Sequence, residues 1–151
     1  MTAERFSLDT DILVYAVDRT AGDKHARAVD LLYAAAAVDC ILTVQCLAEF
    51  FHVVTRKRAM PAKVAAALVE DWRIQFPVVA ADGPVLGAAM AQAAAGRLAF
   101  WDALLLETAR AAGCRFLLSE DFQNGRNYRG VVVLNPLLEG PSPRLSRLLG
   151  A

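Results

Sequence analysis

Short apolar runs alternate along this chain with longer segments whose apolar residues recur every three or four positions, and this alternation restricts the fold most. Such runs predict buried strands, and the periodic segments predict helices. The predicted strands are residues 6–8, 40–42, 77–80, 115–118 and 131–134. The predicted helices are residues 24–37, a helix capped by Thr43, a helix from Pro61 to about Gln75, and two helices closed by Gly96 and Gly113, the second over about 99–112. The alternation predicts an α/β fold in which helices cover both faces of one sheet.

Prolines indicate where the sheet and the chain end. Pro77 lacks a backbone donor, so we expect the third strand at a sheet edge. The segment from Pro136 onward holds three prolines, and we expect it to be a loosely packed tail. No repeat or linker divides the chain, so we expect one domain over residues 1–151. The helix capped by Thr43 is expected to bury an apolar face made by Val44, Leu47, Ala48, Phe51 and Val54.

Composition narrows the class of protein. A chain of 151 residues that are 56% hydrophobic can bury a core without disulfides. Lys+Arg and Asp+Glu both total 16, so the net charge does not point to nucleic acid. The three cysteines show no CxxC spacing and are expected to be reduced thiols. The N-terminus lacks an apolar signal region, and no apolar run approaches the ~20 residues of a membrane helix, so we expect a soluble cytoplasmic protein.

Acidic residues follow the first and the fourth predicted strands. Asp9 and Asp11 come directly after the first strand, and Glu120 and Asp121 come after the fourth. In open α/β sheets, ligands bind at the carboxyl ends of strands, where the strand order reverses. If these two strands are neighbours, Asp9 and Asp121 therefore lie close together at one edge of the sheet.

Two further acids lie on predicted helices beside apolar positions. Asp102 has leucines three and four positions later, and Glu49 borders the inner face of its helix, so both side chains are expected to be at least partly buried. Each acid alone has an ordinary explanation as a helix cap, a dipole partner, a solvated residue or a turn former. Together they are harder to explain, because like charges about 4 Å apart repel by about 4 kcal/mol at an effective dielectric of about 20.

A bound cation would remove this repulsion. Ligands that are all oxygen favour hard ions such as Mg²⁺ or Mn²⁺. These ions lower the pKa of bound water and hold phosphate oxygens during displacement. The acids therefore indicate metal-assisted hydrolysis of a phosphodiester.

The order and context of the acids resemble the PIN domain, and especially the VapC-type ribonuclease toxins of bacterial toxin–antitoxin pairs. The matching segments are Asp9-Thr10-Asp11 after a strand, Glu49 in the helix after Thr43, Phe100-Trp101-Asp102-Ala103 at a helix start, and Leu118-Ser119-Glu120-Asp121 at a strand end. The resemblance runs from Phe6 to about Pro136. It implies a three-layer αβα fold with a parallel five-stranded sheet and an endoribonuclease that uses Mg²⁺ or Mn²⁺. It also implies a homodimer and a small antitoxin whose C-terminal segment covers the pocket.

By this resemblance, the catalytic and metal-binding acids are Asp9, Glu49, Asp102 and Asp121, and Ser119 occupies the family's Ser/Thr position. Asp11 departs from the family, which usually has Asn there. It could be an extra ligand, shift the metal affinity, or replace the hydrogen bond of the asparagine. Glu120 is adjacent to Asp121 and could substitute for it.

The substrate and two other functions stay open. Arg126 and Arg129, in the loop after Asp121, are expected to contact the backbone of an RNA near the metal, and the RNA could be tRNA or another structured RNA. Asp9-Thr10-Asp11 also fits the opening of haloacid-dehalogenase-type phosphatases, in which Asp9 would be a covalent nucleophile, although Ile12-Leu13 replaces the usual Gly-Thr. A third possibility is a non-catalytic PIN-like binding module whose acidic pocket holds a basic partner segment.

Overall fold

A computed structural model describes residues 4–140 and 142–150. The strands are β1 Phe6–Leu8, β2 Cys40–Thr43, β3 Val78–Val79, β4 Phe116–Leu118, β5 Asn127–Tyr128 and β6 Val131–Leu134. The helices are α1 Thr10–Val17, α2 Asp23–Ala35, α3 Val44–Arg56, α4 Ala62–Gln75, α5 Gly83–Ala94, α6 Phe100–Ala111 and α7 Pro143–Leu148. The predicted α/β fold class is confirmed.

The strands form one sheet in the order β3-β2-β1-β4-β6-β5. The first five of these strands are parallel, and β3 lies at the edge, as Pro77 predicted. The chain places β2 on one side of β1 and β4 on the other, so the strand order reverses at β1. Leu8 is in register with Leu118, and Asp9 N donates to Leu118 O at 2.9 Å. The carboxyl ends of β1 and β4 therefore lie side by side.

The sheet has one strand more than the five that we predicted. Asn127 and Tyr128 lie in a segment that we expected to be a loop, and they pair antiparallel with β6. Arg129 and Gly130 both have positive φ, 54° and 99°, which is the backbone of a tight two-residue hairpin turn. This sharp reversal lets the residues before the turn pair with β6.

Alternate residues of the strands face two different helical layers. Phe116 and Leu118 belong to the larger core cluster together with residues of α1 to α4. Leu117, between them, packs with Leu105 and Leu106 of α6 on the opposite face. Because successive strand residues point to opposite faces, the sheet lies between two layers of helices.

The buried face of α3 matches our prediction only in part, because Leu47 and Val54 are buried as expected but Ala48 is exposed. Its buried residues are Cys46, Leu47, Phe50 and Val54, whereas Val44 and Phe51 are 49% and 38% exposed. Phe50 packs edge-on against Trp72 of α4, with 4.7 Å between the ring centroids. This aromatic contact rotates α3 away from the predicted face.

The expected loose tail is also wrong for the described residues after Pro136. Leu137 and Leu148 are buried in the main core cluster, 8% and 6% exposed. Ser142 caps α7 through a hydrogen bond that its Oγ accepts from Leu145 N at 3.3 Å. Pro143 occupies the first turn of α7, where proline favours a helix start, so this proline does not prevent ordered packing.

Candidate metal centre

Asp9 joins the end of β1 to the start of α1. Its Oδ1 accepts a hydrogen bond from Thr10 N at 2.7 Å, so Asp9 is the N-cap of α1. Its Oδ2 accepts a hydrogen bond from Ser119 Oγ at 2.8 Å. The side chain is 7% exposed. The helix-cap explanation is therefore correct for Asp9, and the same contacts fix both of its oxygens beside the end of β4.

The turn after β4 is tied to the β1–α1 junction by polar contacts. Ser119 Oγ accepts a hydrogen bond from Asp121 N at 3.0 Å while it donates to Asp9. Asp11 Oδ2 accepts a hydrogen bond from Glu120 N at 2.9 Å, and Asp11 Oδ1 accepts one from Ile12 N at 2.8 Å. These hydrogen bonds thus hold the residues that follow β1 and β4 together.

These contacts create an acidic cluster, which we define as Asp9, Asp11 and Asp121. Each of the three carboxylates offers an oxygen, and these oxygens lie within 4.8 Å of one another. Two of the four acids that the resemblance singled out are in the cluster, and its third member is Asp11, which we had treated as an auxiliary residue.

The pKa values of the cluster are raised. Burial raises the pKa of Asp9 to about 6, and repulsion from Asp121 and Glu49 adds to the effect. Burial, followed by the Asp9 charge, raises the pKa of Asp11 to about 8. The pKa of Asp121 is raised by partial burial and by the neighbouring charges of Glu120, Asp102 and Glu49. The folded chain therefore resists full ionisation of the cluster.

Glu49 and Asp102 lie beside the cluster but outside it. Glu49 Oε2 accepts a hydrogen bond from Thr10 Oγ1 at 3.1 Å, and Glu49 Oε1 accepts one from Gln45 Nε2 at 3.2 Å. Gln45 Nε2 also donates to Trp101 O at 2.9 Å, which connects α3 to the start of α6. Partial burial, followed by repulsion from Glu49, raises the pKa of Asp102.

Glu49 and Asp102 are both exposed residues, although partial burial still raises the pKa of the Asp102 carboxyl. The reason for their exposure is their position on α3 and α6, the helices that flank the sheet edge. There they border the cluster without entering the core. Thr10 and Gln45 position Glu49 but were not predicted as site residues. The place of Thr10 between Asp9 and Asp11 in the sequence could have identified it.

Glu120 points away from the acidic cluster. Its carboxylate accepts a hydrogen bond from the Tyr15 hydroxyl, and its Oε2 forms an ion pair with Lys24 Nζ at 3.0 Å. The Lys24 ammonium also lies 5.1 Å from the centre of the Tyr15 ring. The Glu120 side chain is thus held by residues of α1 and α2, whereas its neighbour Asp121 belongs to the acidic cluster.

The two arginines after Asp121 have different surroundings. Arg126 is exposed, and its guanidinium lies 4.7 Å from the centre of the Tyr128 ring. Arg129 Nε lies 2.7 Å from an oxygen of Glu107, which is 4% exposed. Arg129 therefore neutralises a buried carboxylate, and Arg126 has the freer guanidinium near the strand exits.

The cysteines are free and buried, as expected of reduced thiols. Burial raises the pKa of the Cys46 and Cys114 thiols to about 12. They therefore stay protonated and are poor metal ligands.

The donor set of the acidic cluster fits a hard divalent cation. It offers carboxylate oxygens alone, which suit Mg²⁺ or Mn²⁺ better than softer metals. The raised pKa values fit as well, because a cation would remove the repulsion that opposes ionisation. Asp9, Asp11 and Asp121 are the residues that could hold the ion.

Comparisons with known proteins agree with the fold. A family model described as the PIN domain matches residues 7–127. No curated protein matches the sequence. The structure is similar to the crystal structure of Mycobacterium tuberculosis VapC20, described as a toxin that cleaves the sarcin–ricin loop. The TM-score is 0.62 at 18% identity, over 77% of this chain and 91% of that one.

Two other solved structures have the same fold. FitAcB from Neisseria gonorrhoeae matches with a TM-score of 0.61 and 19% identity, over 87% of this chain and 97% of that one. VapBC2 from Rickettsia felis, bound to a DNA fragment from its promoter, matches with a TM-score of 0.60 and 15% identity, over 85% of this chain and 96% of that one. Within residues 4–140 and 142–150, no helix is both long and apolar enough to cross a membrane.

Proposed function

Because this chain belongs to the PIN domain family, we propose that it is a metal-dependent endoribonuclease that uses Mg²⁺ or Mn²⁺ to hydrolyse RNA phosphodiester bonds. The observation that carries the proposal is the acidic cluster, in which three carboxylates from two strand exits approach within 4.8 Å. The matching family model does not support the alternative phosphatase with Asp9 as nucleophile.

In the proposed mechanism, Asp9, Asp11 and Asp121 would hold the cation. A divalent ion bound there would supply a water of lowered pKa and a positive charge opposite the phosphate. Ser119 keeps Asp9 Oδ2 aimed at the site through its 2.8 Å hydrogen bond. Thr10 similarly orients Glu49 Oε2. Their contribution is to keep the carboxylates in position before the RNA arrives.

Glu49 and Asp102 complete the site from the flanking helices. We assign them to the attacking water, whose O–H groups would donate hydrogen bonds to their carboxylate oxygens. As the water oxygen bonds to phosphorus and the bond from phosphorus to the leaving oxygen breaks, Asp102 takes up the one proton that the water loses. The raised pKa of Asp102 suits a group that takes up a proton during the reaction. Arg126, exposed in the loop after Asp121, is placed to contact a phosphate next to the scissile one.

We further propose that the chain is the toxin of a toxin–antitoxin pair and forms a homodimer. Exposed apolar side chains support a protein partner near the site: Trp101 beside Asp102 is 64% exposed, and Val44 at the start of α3 is 49% exposed. A small antitoxin with a basic side chain would complement this apolar rim and the acidic cluster. Expression of this chain alone should slow growth, and expression of the adjacent small reading frame should restore it.

The direct test is cleavage of bulk tRNA by the purified chain with Mn²⁺, Mg²⁺ or EDTA. We expect cleavage with either ion and none in EDTA. Asp9→Asn should reduce the rate by more than about 100-fold, the upper range for losing even an indirect partner of a metal ligand. Asp71→Asn, which changes an exposed aspartate on α4, is the matched control and should cleave like the wild type.

Two results would contradict the proposal. Full activity of pure Asp9→Asn protein would exclude Asp9 as a ligand. Absence of cleavage of tRNA and of ribosomal RNA by the metal-loaded wild type would favour the non-catalytic binding module instead.

A further inference from the structure

A groove of about 1050 Å³ lies at the amino-terminal ends of the strands, whereas the acidic cluster lies at their carboxyl ends. Arg115 and Phe116 line it at the start of β4, and Val132 lines it on β6. The acidic cluster lies beyond the other end of β4. Strands rise about 3.3 Å per residue, so the Cα atoms of residues 115 and 119 are about 13 Å apart.

Arginines dominate this groove, which we call the basic groove. The arginines that line it are Arg110, Arg115, Arg129, Arg144 and Arg147, and Glu4 is the acid among its lining residues. The whole chain has as many acidic as basic residues, so this concentration of arginine is a local feature rather than a consequence of composition.

Internal contacts leave most of this positive charge available. Arg110 Nε donates to Arg129 O at 3.0 Å, a neutral partner, and the Arg144 guanidinium lies 5.2 Å from the centre of the Phe116 ring. Within the described part of the chain, Arg115 and Arg147 make no side-chain hydrogen bond or ion pair. Arg129 is the groove arginine with an acidic partner, the buried Glu107.

The chemistry of the groove suits phosphates. A guanidinium presents a planar set of donors that matches phosphate oxygens. Arg126 is exposed in the segment that runs from Asp121 to Arg129 of the groove, so it offers a further positive charge on the chain between the two sites. The 13 Å along β4 corresponds to about four base pairs at the axial rise of about 3.4 Å in a duplex. One structured RNA can therefore contact both the acidic cluster and the basic groove, at the two ends of β4.

We propose that the basic groove binds the phosphate backbone of the same RNA that is cut at the acidic cluster. This inference rests on the proposed ribonuclease function and deepens it. The substrate is then a structured RNA that extends from the cleaved bond to the amino-terminal ends of the strands. A short oligonucleotide that contacts only the acidic cluster binds more weakly.

The test measures binding of bulk tRNA and of a single-stranded hexanucleotide in EDTA, where the proposed cleavage is absent, across a series of salt concentrations. The variant Arg115→Gln/Arg147→Gln removes two groove charges that have no acidic partner among residues 4–140 and 142–150. Arg19→Gln/Lys63→Gln removes two exposed charges that do not line the groove and is the matched control. Thermal unfolding of both variants checks that each is folded.

We expect the groove variant to bind tRNA at least about tenfold more weakly, while its hexanucleotide binding stays unchanged. Its slope of log K against log salt should be smaller in magnitude by about 1.4 to 1.8, because two phosphate contacts are lost. The control should match the wild type in affinity and slope.

Unchanged tRNA affinity and slope in the folded groove variant would overturn the inference, even if the wild type cleaves RNA. Polyglutamate is measured alongside as an acidic polypeptide. If the groove variant loses polyglutamate binding but keeps its tRNA binding, the inference is overturned and the groove is assigned to an acidic protein. If the wild type binds tRNA through the groove but cleaves no RNA with Mn²⁺, the proposed ribonuclease function fails, and with it the inference that the bound RNA is the substrate; RNA binding by the groove is then established by itself.

Discussion

Replacing Asp11 by asparagine should stabilise the metal-free protein at alkaline pH and should have little effect near pH 5. Burial raises the pKa of Asp11 to about 8, so at pH 7 the folded chain holds a proton that the unfolded chain has lost. Stability linked to this group is therefore complete below pH 3.8, the pKa of an unperturbed aspartate, and falls as pH rises toward about 8.

The size of the effect follows from two opposing contributions. Each pH unit in this window lowers the free energy of unfolding by up to about 1.4 kcal/mol. Discounted for solvent at the partly open site, the penalty for Asp11 reaches about 2 to 3 kcal/mol at pH 8. Asparagine removes this penalty, but it has one acceptor oxygen where Asp11 uses two, for Ile12 N and Glu120 N. Losing one of these hydrogen bonds costs about 1 kcal/mol.

The assay is thermal unfolding in EDTA between pH 5 and pH 8. At pH 8 we expect Asp11→Asn to be more stable than the wild type by about 1 to 2 kcal/mol, which is roughly 2–8 °C in Tm for a chain of this size. Near pH 5 the advantage should vanish, because the remaining charge penalty is then about equal to the lost hydrogen bond. Asp71→Asn should follow the wild type at every pH. Parallel curves for Asp11→Asn and the wild type would refute the electrostatic reasoning.

Other predictions follow from the same contacts. Asp121→Asn should reduce RNA cleavage at least about tenfold more than Glu120→Gln, measured as initial rates, because Glu120 contacts Tyr15 and Lys24 instead of the cluster; equal losses would contradict this assignment. Ser119→Ala should reduce cleavage about 10–100-fold, since it frees Asp9 Oδ2, and titration with Mn²⁺ should show weaker binding. Trp72→Ala should lower the free energy of unfolding by about 3–5 kcal/mol in denaturant, because it removes a buried ring; a loss below about 1 kcal/mol would argue against this packing.

The sequence predicted those features that depend on general rules of parallel sheets. Asp9 and Asp121 were expected at one sheet edge because each follows an apolar run, and the pairing of Leu8 with Leu118 confirms that the two strands are neighbours. The edge position of β3 followed from Pro77 in the same way. These features need only strand direction and order.

The features that the sequence did not predict depend on contacts between distant residues. Phe50 and Phe51 are adjacent in α3 and both have apolar neighbours at helical spacing, so periodicity could not select Phe50 over Phe51, and the contact with Trp72 decides between them. Arg129-Gly130 is not a common hairpin pair, so the turn that creates β5 was missed.

The sequence also could not show which of Glu120 and Asp121 belongs to the acidic cluster. This depends on Tyr15 and Lys24, which bind Glu120 from α1 and α2. In the same way, the place of Asp11 in the acidic cluster depends on the hydrogen bond that the Asp11 carboxylate accepts from the Glu120 backbone N–H. The contacts of Glu120 with Tyr15 and with Asp11 join residues 105 and 109 positions apart, and its contact with Lys24 joins residues 96 positions apart.

The most direct test of the account is a crystal structure of the protein soaked with Mn²⁺, with data collected to locate the ion by its anomalous scattering. We expect an anomalous peak about 2.0–2.2 Å from carboxylate oxygens of Asp9 and Asp121, a usual distance for a small divalent ion. The peak should be absent from crystals of Asp9→Asn. No peak at the acidic cluster, at an Mn²⁺ concentration that supports RNA cleavage, would contradict the proposed metal centre.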